Sequence, residues 1–208
     1  EQTYQLGLQG IFNTPGLRDT VKALHGMDGF AFEPAVDSAL FHDRRPARKG
    51  PVRVFFYGRP GNERNGFELG LAALARLKRE LGPAVDIVTA GAEWHPESYG
   101  VRGLVTNLGV LPAESTAALY RECDVGLCFM FTRHPSYLPL EMMACGVTVV
   151  TNDNPANHWL LEDGENCLLS APTVSCVLAR LRAAVTDAPL RARIGARAAE
   201  RVRRTSWE

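Results

Sequence analysis

The order of apolar and polar positions predicts an alternating α/β domain from residue 52 onward. Short apolar runs between polar turns predict strands, and longer stretches with apolar residues three and four positions apart predict helices. The strands are predicted at residues 52–57, 85–90, 104–108, 125–131, 147–150 and 167–169, and the longer helices at residues 66–81, 112–122 and 173–185. Strands that alternate with helices form a parallel sheet with helices on both faces. We therefore expect a doubly wound, Rossmann-like α/β fold.

Residues that favour the beginnings and ends of helices support this prediction. Asn65, with Glu68 three residues later, resembles a capping box at the start of the first long helix. Gly146 ends a short helix that begins near Pro139, and Asp187 can cap a last helix. A further short helix is predicted at residues 157–161.

The first 50 residues have a less regular pattern of apolar and polar positions than the rest of the chain. Their predicted elements are a strand at residues 6–12, a helix from Pro15 to residue 24 and an extended piece at residues 30–33. A polar segment at residues 42–51, bounded by Gly and Pro, then reads as a linker. We place the boundary there, with an N-terminal appendage at residues 1–50 and the main domain at residues 51–208.

The polar loops that follow the predicted strands point to a ligand. They lie at residues 58–65, 91–95, 109–111, 132–137 and 151–154. In a parallel sheet these loops share the carboxyl edge, which is where open α/β sheets bind ligands. We therefore expect a binding site at that edge.

The strand–loop–helix–strand unit at residues 125–151 is the centre of this prediction. The short helix begins at the loop, so the backbone N–H groups of Ser136, Tyr137 and Leu138 can receive an anion. Glu141 lies one turn further on, where its carboxylate can accept hydrogen bonds from a sugar hydroxyl. The alternative is that the unit binds nothing and that Glu141 only favours the helix dipole.

The first of these loops carries Arg59 and Arg64, with Gly58 giving the backbone room. A guanidinium group bonds two phosphate oxygens at once, so the loop suits a phosphate. The alternative is a pair of solvated surface arginines. The loop matches neither the P-loop nor the dinucleotide fingerprint. His134, in the loop before the short helix, can meet a ligand or serve the structure.

Composition argues against several other classes. Lys plus Arg equals Asp plus Glu at 23 each, so no global charge favours nucleic acid or an anionic membrane. No apolar run approaches the length of a membrane span, and the first residues do not read as a signal peptide. The five cysteines include no C-x-x-C pair and no common zinc spacing. Because several lie in apolar segments, they favour a reducing, cytoplasmic setting.

An ordered set of motifs carries a family resemblance. The motifs are Gly58-Arg59 with Arg64, Leu108-Gly109-Val110, Tyr120-Arg-Glu-Cys-Asp124, Pro139-Leu-Glu141-Met-Met-Ala-Cys-Gly146 and Glu162-Asp-Gly-Glu-Asn166. Together they resemble the C-terminal, donor-binding domain of retaining GT-B glycosyltransferases. The resemblance covers about residues 30–208, and the segment His134-Pro-Ser-Tyr137 looks most like bacterial rhamnosyltransferases that build surface glycans.

The resemblance implies a role for each matching residue. Arg59 and Arg64 would hold the diphosphate and neutralise it as it leaves, which is the catalytic role. The backbone amides of Ser136–Leu138 would bind phosphate, and Glu141 would bind the ribose. Val110 and Leu111 would lie against the base. The family has an acid where this chain has Arg133, so the contact to the transferred sugar departs from the family pattern.

We therefore expect the donor-binding half of a metal-independent glycosyltransferase. Its substrate would be a UDP- or dTDP-linked hexose or deoxyhexose, with rhamnose as one candidate. Residues 1–50 would be the tail of an N-terminal domain that binds the glycan acceptor, and the whole enzyme would work in the cytoplasm or at the inner face of the membrane. The alternatives are a non-catalytic sugar-nucleotide or carbohydrate-binding module and a phospho-sugar epimerase of similar architecture.

Overall fold

The computed structural model describes residues 2–44, 49–133 and 136–205, and its elements follow the predicted alternation. The strands are β1 (Gly10–Phe12), β2 (Gly29–Ala31), β3 (Val52–Tyr57), β4 (Val85–Ala90), β5 (Thr106–Asn107), β6 (Val125–Leu127), β7 (Thr148–Asn152) and β8 (Leu168–Ser170). The helices are α1 (Pro15–His25), α2 (Phe67–Leu81), α3 (Ala113–Glu122), α4 (Tyr137–Ala144), α5 (Val174–Thr186) and α6 (Ala188–Arg203). Short 3-10 turns connect several of them.

The main sheet is a six-stranded parallel sheet with the order β5-β4-β3-β6-β7-β8. The chain runs outward from β3 to β5, then returns to the other side of β3 and runs outward again to β8. The order reverses between β3 and β6, and this switch point is where doubly wound sheets bind ligands. The doubly wound α/β fold predicted from the sequence is confirmed.

Two core layers cover the faces of the sheet. The adjacent residues Phe55 and Phe56 of β3 point to opposite faces, as successive strand residues do. The Phe55 ring meets Tyr120 of α3 edge-on at 5.0 Å, whereas the Phe56 ring lies 6.3 Å from Phe67 of α2. The core around Phe56 is closed by α2 and α5, and the core around Phe55 by α3, α4 and α6.

Side chains cap several of the helices, as predicted for Asp187, and the cap predicted for α2 is absent. Thr14, Thr173 and Asp187 cap α1, α5 and α6 through side-chain oxygens that accept backbone N–H bonds. The capping box predicted at Asn65 is wrong. Asn65 ends a 3-10 turn, and Gly66 precedes α2 with a φ of 55° and no side-chain cap bond.

Three apolar runs yield shorter regular elements than predicted. The strand predicted at residues 125–131 ends at Leu127, although residues 128–130 remain buried. The strand predicted at residues 104–108 is reduced to β5, because Leu104 closes a turn with Val101. The helix predicted at residues 157–161 is replaced by a 3-10 turn at Pro155–Asn157. An apolar run does not by itself separate a strand from a buried loop.

The N-terminal appendage forms a small β1-α1-β2 unit with its own parallel two-stranded sheet. The segment that follows it packs on the main domain. Phe41 is buried and its ring lies 6.2 Å from that of Tyr120, and Arg203 pairs with Asp43 at 2.8 Å. The Arg121 guanidinium also donates to the Leu40 carbonyl at 2.8 Å. The domain boundary at residues 50–51 stays a prediction.

The cysteines are reduced, and four of the five are buried. Burial raises the pKa of Cys128 and of Cys167 to about 12, so these thiols stay protonated near neutral pH. They act as small apolar groups of the core.

Candidate functional site

A crevice of about 240 Å³ opens at the switch point of the sheet. One wall is the loop after β3, and the other is formed by residues 129–132 together with the start of α4. Its lining residues are Tyr57, Arg59, Asn62, Arg64, Asn65, Phe129, Met130, Phe131, Thr132, Ser136 and Leu138. The structure thus brings together the two loops that the sequence singles out for phosphate binding.

The charge of the crevice is cationic. Arg59 and Arg64 carry the only formal charges among its described lining residues. In the part of the chain that the structure describes, neither guanidinium pairs with a carboxylate, and the one polar contact of Arg59 is to the Tyr57 hydroxyl at 3.4 Å. Two arginines without acidic partners on one wall favour an anionic ligand.

The N-terminus of α4 forms part of the opposite wall. Ser136 is its N-cap, and the Ser136 hydroxyl oxygen accepts the Leu138 N–H at 3.2 Å. A phosphate that reached the Leu138 amide would therefore have to displace that bond. Tyr137 is 44% exposed and does not line the crevice, and His134 lies outside the described residues.

An aromatic stack borders the crevice. The rings of Phe129 and Phe131 are stacked at 5.5 Å with an interplanar angle of 8°. They lie against Gly66, where a Cβ atom would come within 2.8 Å of both rings. Phe131 is 41% exposed and Arg133, two residues later, is also exposed. The sequence pattern did not identify this stack, because the apolar run reads simply as strand.

Glu141 lies one turn into α4 and is half-buried, but it does not line the crevice. Burial raises the pKa of its carboxyl group from the ordinary 4.5 to about 7, and a hydrogen bond from the Tyr120 hydroxyl lowers this pKa in part. Tyr120 is buried, and burial together with the Glu141 charge holds the tyrosine pKa well above 10. The phenol therefore remains a donor to Glu141 at neutral pH.

The loops after β4 and β5 form a second part of the carboxyl edge. The Gly91 N–H donates to the Gly109 carbonyl at 2.8 Å, and the Val110 N–H lies 3.4 Å from a Glu93 carboxylate oxygen. Val110 is 67% exposed, whereas Leu111 is half-buried against α3 and its neighbours. Both lie apart from the crevice lining.

Two residues at this edge explain how the loops keep their shape. The Asn107 amide group donates to the carbonyls of Ala92 and Trp94 at 3.1 and 2.9 Å, which fixes the loop after β4. Gly58 is buried, and a Cβ atom there would meet the Trp94 indole nitrogen at 3.3 Å. Gly58 therefore lets the first loop turn closely past Trp94. The sequence did not predict this role of Asn107, because a lone Asn after a strand resembles any turn residue.

The six-stranded order and the cationic crevice at its switch point define the class of protein. The fold is that of the C-terminal, Rossmann-like domain of GT-B glycosyltransferases, and the resemblance to that domain is confirmed. The chain belongs to the family described as WsaF, C-terminal domain, which matches residues 52–182.

Known proteins agree with this assignment. The chain is 79% identical over all 208 residues to the O-antigen biosynthesis protein RfbC of Myxococcus xanthus, of which it spans 16%. It is 32% identical over 193 residues, 88% of its length, to the phosphatidyl-myo-inositol mannosyltransferase of Mycolicibacterium smegmatis, of which it spans 49%. The structure of Anabaena HepE in complex with UDP and glucose superposes with a TM-score of 0.76 at 18% identity, over 95% of this chain and 59% of that one.

Two further features of the described residues concern membranes and metal ions. None of their helices is both long and apolar enough to cross a membrane. Across residues 2–44, 49–133 and 136–205, no three His, Cys, Asp or Glu side chains come together as metal ligands would. Metal independence stays a prediction.

Proposed function

We propose that this domain binds a nucleotide sugar as the donor half of a retaining glycosyltransferase. The observation that carries the proposal is the crevice at the switch point, where Arg59 and Arg64 lack acidic partners among the described residues. A diphosphate in this crevice would gain charge-assisted hydrogen bonds from both guanidinium groups. The same groups would neutralise the diphosphate as it leaves the sugar, without a metal ion.

The phosphate, the ribose and the base of the nucleotide would each meet a different part of the carboxyl edge of the sheet. The start of α4 would meet a phosphate oxygen through its amides, with Tyr137 and His134 close by in sequence. Glu141 would accept hydrogen bonds from the ribose hydroxyls. The base would lie against Val110 and Leu111, whose loop is joined to the loop after β4. HepE binds UDP on a similar fold, which supports a pyrimidine nucleoside diphosphate as the ligand.

For the transferred sugar we propose a hexose or deoxyhexose, with rhamnose from dTDP-rhamnose as a candidate. The similarity to a protein of O-antigen biosynthesis supports a surface glycan as the product. Arg133 stands where the family has an acid, so the sugar would be held differently from the family pattern. The exposed ring of Phe131 at the crevice border offers an apolar surface there.

The acceptor site would lie on another domain of a longer protein. The chain spans 16% of the RfbC protein and about half of the mannosyltransferase. In the appendage, Ile11 of β1 and Phe30 of β2 are register partners and are 79% and 70% exposed. Parallel sheets are usually covered on both faces, so this face favours contact with further chain. We place the whole enzyme in the cytoplasm or at the inner membrane face.

Calorimetry with UDP and with dTDP in EDTA tests the proposal. We expect metal-free binding, and Arg59→Ala or Arg64→Ala should weaken it by roughly 1.5–3 kcal/mol, as for a hydrogen bond to a charged group. Arg102→Ala is the control, because Arg102 is exposed on a loop outside the crevice. Binding that needs Mg²⁺, or equal affinity in all variants, would refute the arginine site. Binding of free sugars without nucleotides would favour a carbohydrate-binding module.

A further inference from the structure

The segment at residues 128–132 has an unusual position, because it is largely buried without belonging to the sheet. β6 ends at Leu127, and the last ladder bond runs from the Cys128 N–H to the Val150 carbonyl at 3.2 Å. Met130, two residues later, is still buried. Buried backbone N–H and C=O groups need partners, so something other than a neighbouring strand must satisfy this segment.

Asn152, the last residue of β7, supplies the first set of partners. Its side-chain oxygen accepts the Met130 N–H at 2.7 Å, and its side-chain nitrogen donates to the Met130 carbonyl at 3.0 Å. The amide group thus pairs with one residue in both directions, as a neighbouring strand would. Asn152 is itself buried, so these bonds are shielded from water.

Asn154 supplies the second set. Its side-chain nitrogen donates to the Met130 carbonyl at 2.8 Å and to the Thr132 carbonyl at 2.9 Å. Its side-chain oxygen accepts the Ala156 N–H at 3.1 Å, which caps the following 3-10 turn. One side chain therefore ties the loop after β7 to the loop after β6.

The segment held by these bonds is a wall of the crevice. Phe129, Met130, Phe131 and Thr132 all line it, and the chain then leads into Arg133 and the start of α4. We propose that Asn152 and Asn154 are positioning residues, which fix this wall opposite Arg59 and Arg64 and so set the affinity for a diphosphate. The inference rests on the proposed function, which it deepens by naming residues that do not line the crevice.

Asn154→Asp removes only the donor half of the bonding but adds a negative charge near the crevice, so the uncharged Asn154→Ala should show the same changes in exchange and affinity. The Asp side chain keeps an oxygen for the Ala156 cap but cannot donate to the carbonyls of Met130 and Thr132. Asn166→Asp is the matched control. The Asn166 nitrogen donates to the Leu160 carbonyl and its oxygen accepts the Glu162 N–H, both at 2.9 Å, in a turn that does not line the crevice.

Hydrogen exchange of the full 208-residue chain, measured without nucleotide, tests whether these bonds hold the segment in place, because a loosened segment would expose the Met130 N–H that bonds to Asn152. We expect faster exchange in a peptide covering residues 128–133 in Asn154→Asp and no change there in Asn166→Asp. Unchanged exchange in Asn154→Asp would overturn the inference at its first step. This measurement is independent of any ligand, so it can be read even if the wild-type chain binds no nucleotide.

Affinity for UDP, dTDP and inorganic pyrophosphate tests the consequence. Two lost hydrogen bonds should weaken all three by about fivefold to tenfold in Asn154→Asp, whereas Asn166→Asp should bind as the wild type does even at the same loss of melting temperature. Faster exchange with unchanged affinity would make Asn154 merely structural and overturn the positioning role. A wild-type chain that binds none of the three probes would instead refute the proposed function.

Discussion

The Tyr120 hydroxyl donates a hydrogen bond to the Glu141 carboxyl group and so joins α3 to α4. The phenol is buried, and the carboxyl group is half-buried with a pKa of about 7. Because the folded pKa lies above the ordinary 4.5, the folded domain binds this proton more tightly than the unfolded chain does. Stability from the protonated group is full below 4.5 and is lost as the pH rises through 7.

Glu141→Gln should therefore change the pH dependence of unfolding. The variant lacks the ionisable group, so it should gain stability relative to the wild type between about pH 5 and about pH 8, by roughly 1–3 kcal/mol at most. Urea unfolding at the two pH values measures this difference. The exposed Glu68→Gln is the control for loss of a charge. A constant difference between variant and wild type would contradict the raised pKa.

The same substitution separates two roles of Glu141 in binding. If the ionised carboxylate accepts ribose hydroxyl bonds, wild-type affinity for UDP should rise from about pH 6 to about pH 8, because the group loses its proton in that range. Glu141→Gln should bind UDP more weakly and without this rise, yet bind inorganic pyrophosphate as the wild type does. Equal losses for both ligands would assign Glu141 to the helix dipole instead.

Tyr120→Phe should raise the Glu141 pKa further and destabilise the domain. The substitution removes the donor whose hydrogen bond lowers this pKa. It leaves the half-buried carboxyl group without that bond, at a cost of about 1–3 kcal/mol. A double-mutant cycle with Glu141→Gln measures the coupling. Tyr99→Phe, at a ring that is 41% exposed, controls for loss of a phenol. Additive effects of the two substitutions would show that the hydrogen bond to the carboxyl group contributes no more than one to an amide oxygen.

The sequence predicted those parts of the fold that depend on local patterns. Asp187 caps its helix as expected, since an N-cap bonds an N–H only three residues away. The sequence did not predict the end of β6, because the Met130 backbone is satisfied by Asn152, 22 residues later. Such a bond leaves no periodic pattern in the sequence. That the polar loops after the strands lie together could be predicted because parallel strands place them at one edge, whereas which lining residues meet there depends on tertiary packing.

Sugar transfer should not occur in the 208-residue chain alone, provided that the acceptor site lies on another domain as proposed. Alignment of the acceptor hydroxyl in a closed cleft contributes up to roughly 7–11 kcal/mol to such reactions. Without it, Arg59 and Arg64 should support slow donor hydrolysis at best. Nucleotide release and glycan extension with UDP- and dTDP-sugars measure the two reactions separately. Extension at about 1 s⁻¹ or faster would mean that this chain holds a complete site.

Substitution of Gly66 should lower both the stability of the domain and the affinity of the crevice for its ligand. Gly61 and Gly66 both have positive φ values, 74° and 55°, so alanine at either position strains the backbone by about 1–2 kcal/mol. Only at Gly66 would the new Cβ also press on the stacked rings of Phe129 and Phe131, whereas at Gly61 it meets no atom within 4 Å. Adding one methyl group to a packed space in this way typically costs a further amount of about 1–3 kcal/mol. We therefore expect Gly66→Ala to lower the melting temperature more than Gly61→Ala does.

Because the stack lines the crevice, Gly66→Ala should also weaken pyrophosphate binding. Equal melting temperatures in the two variants would show that the rings yield freely, and the stack would then be no fixed wall of the site.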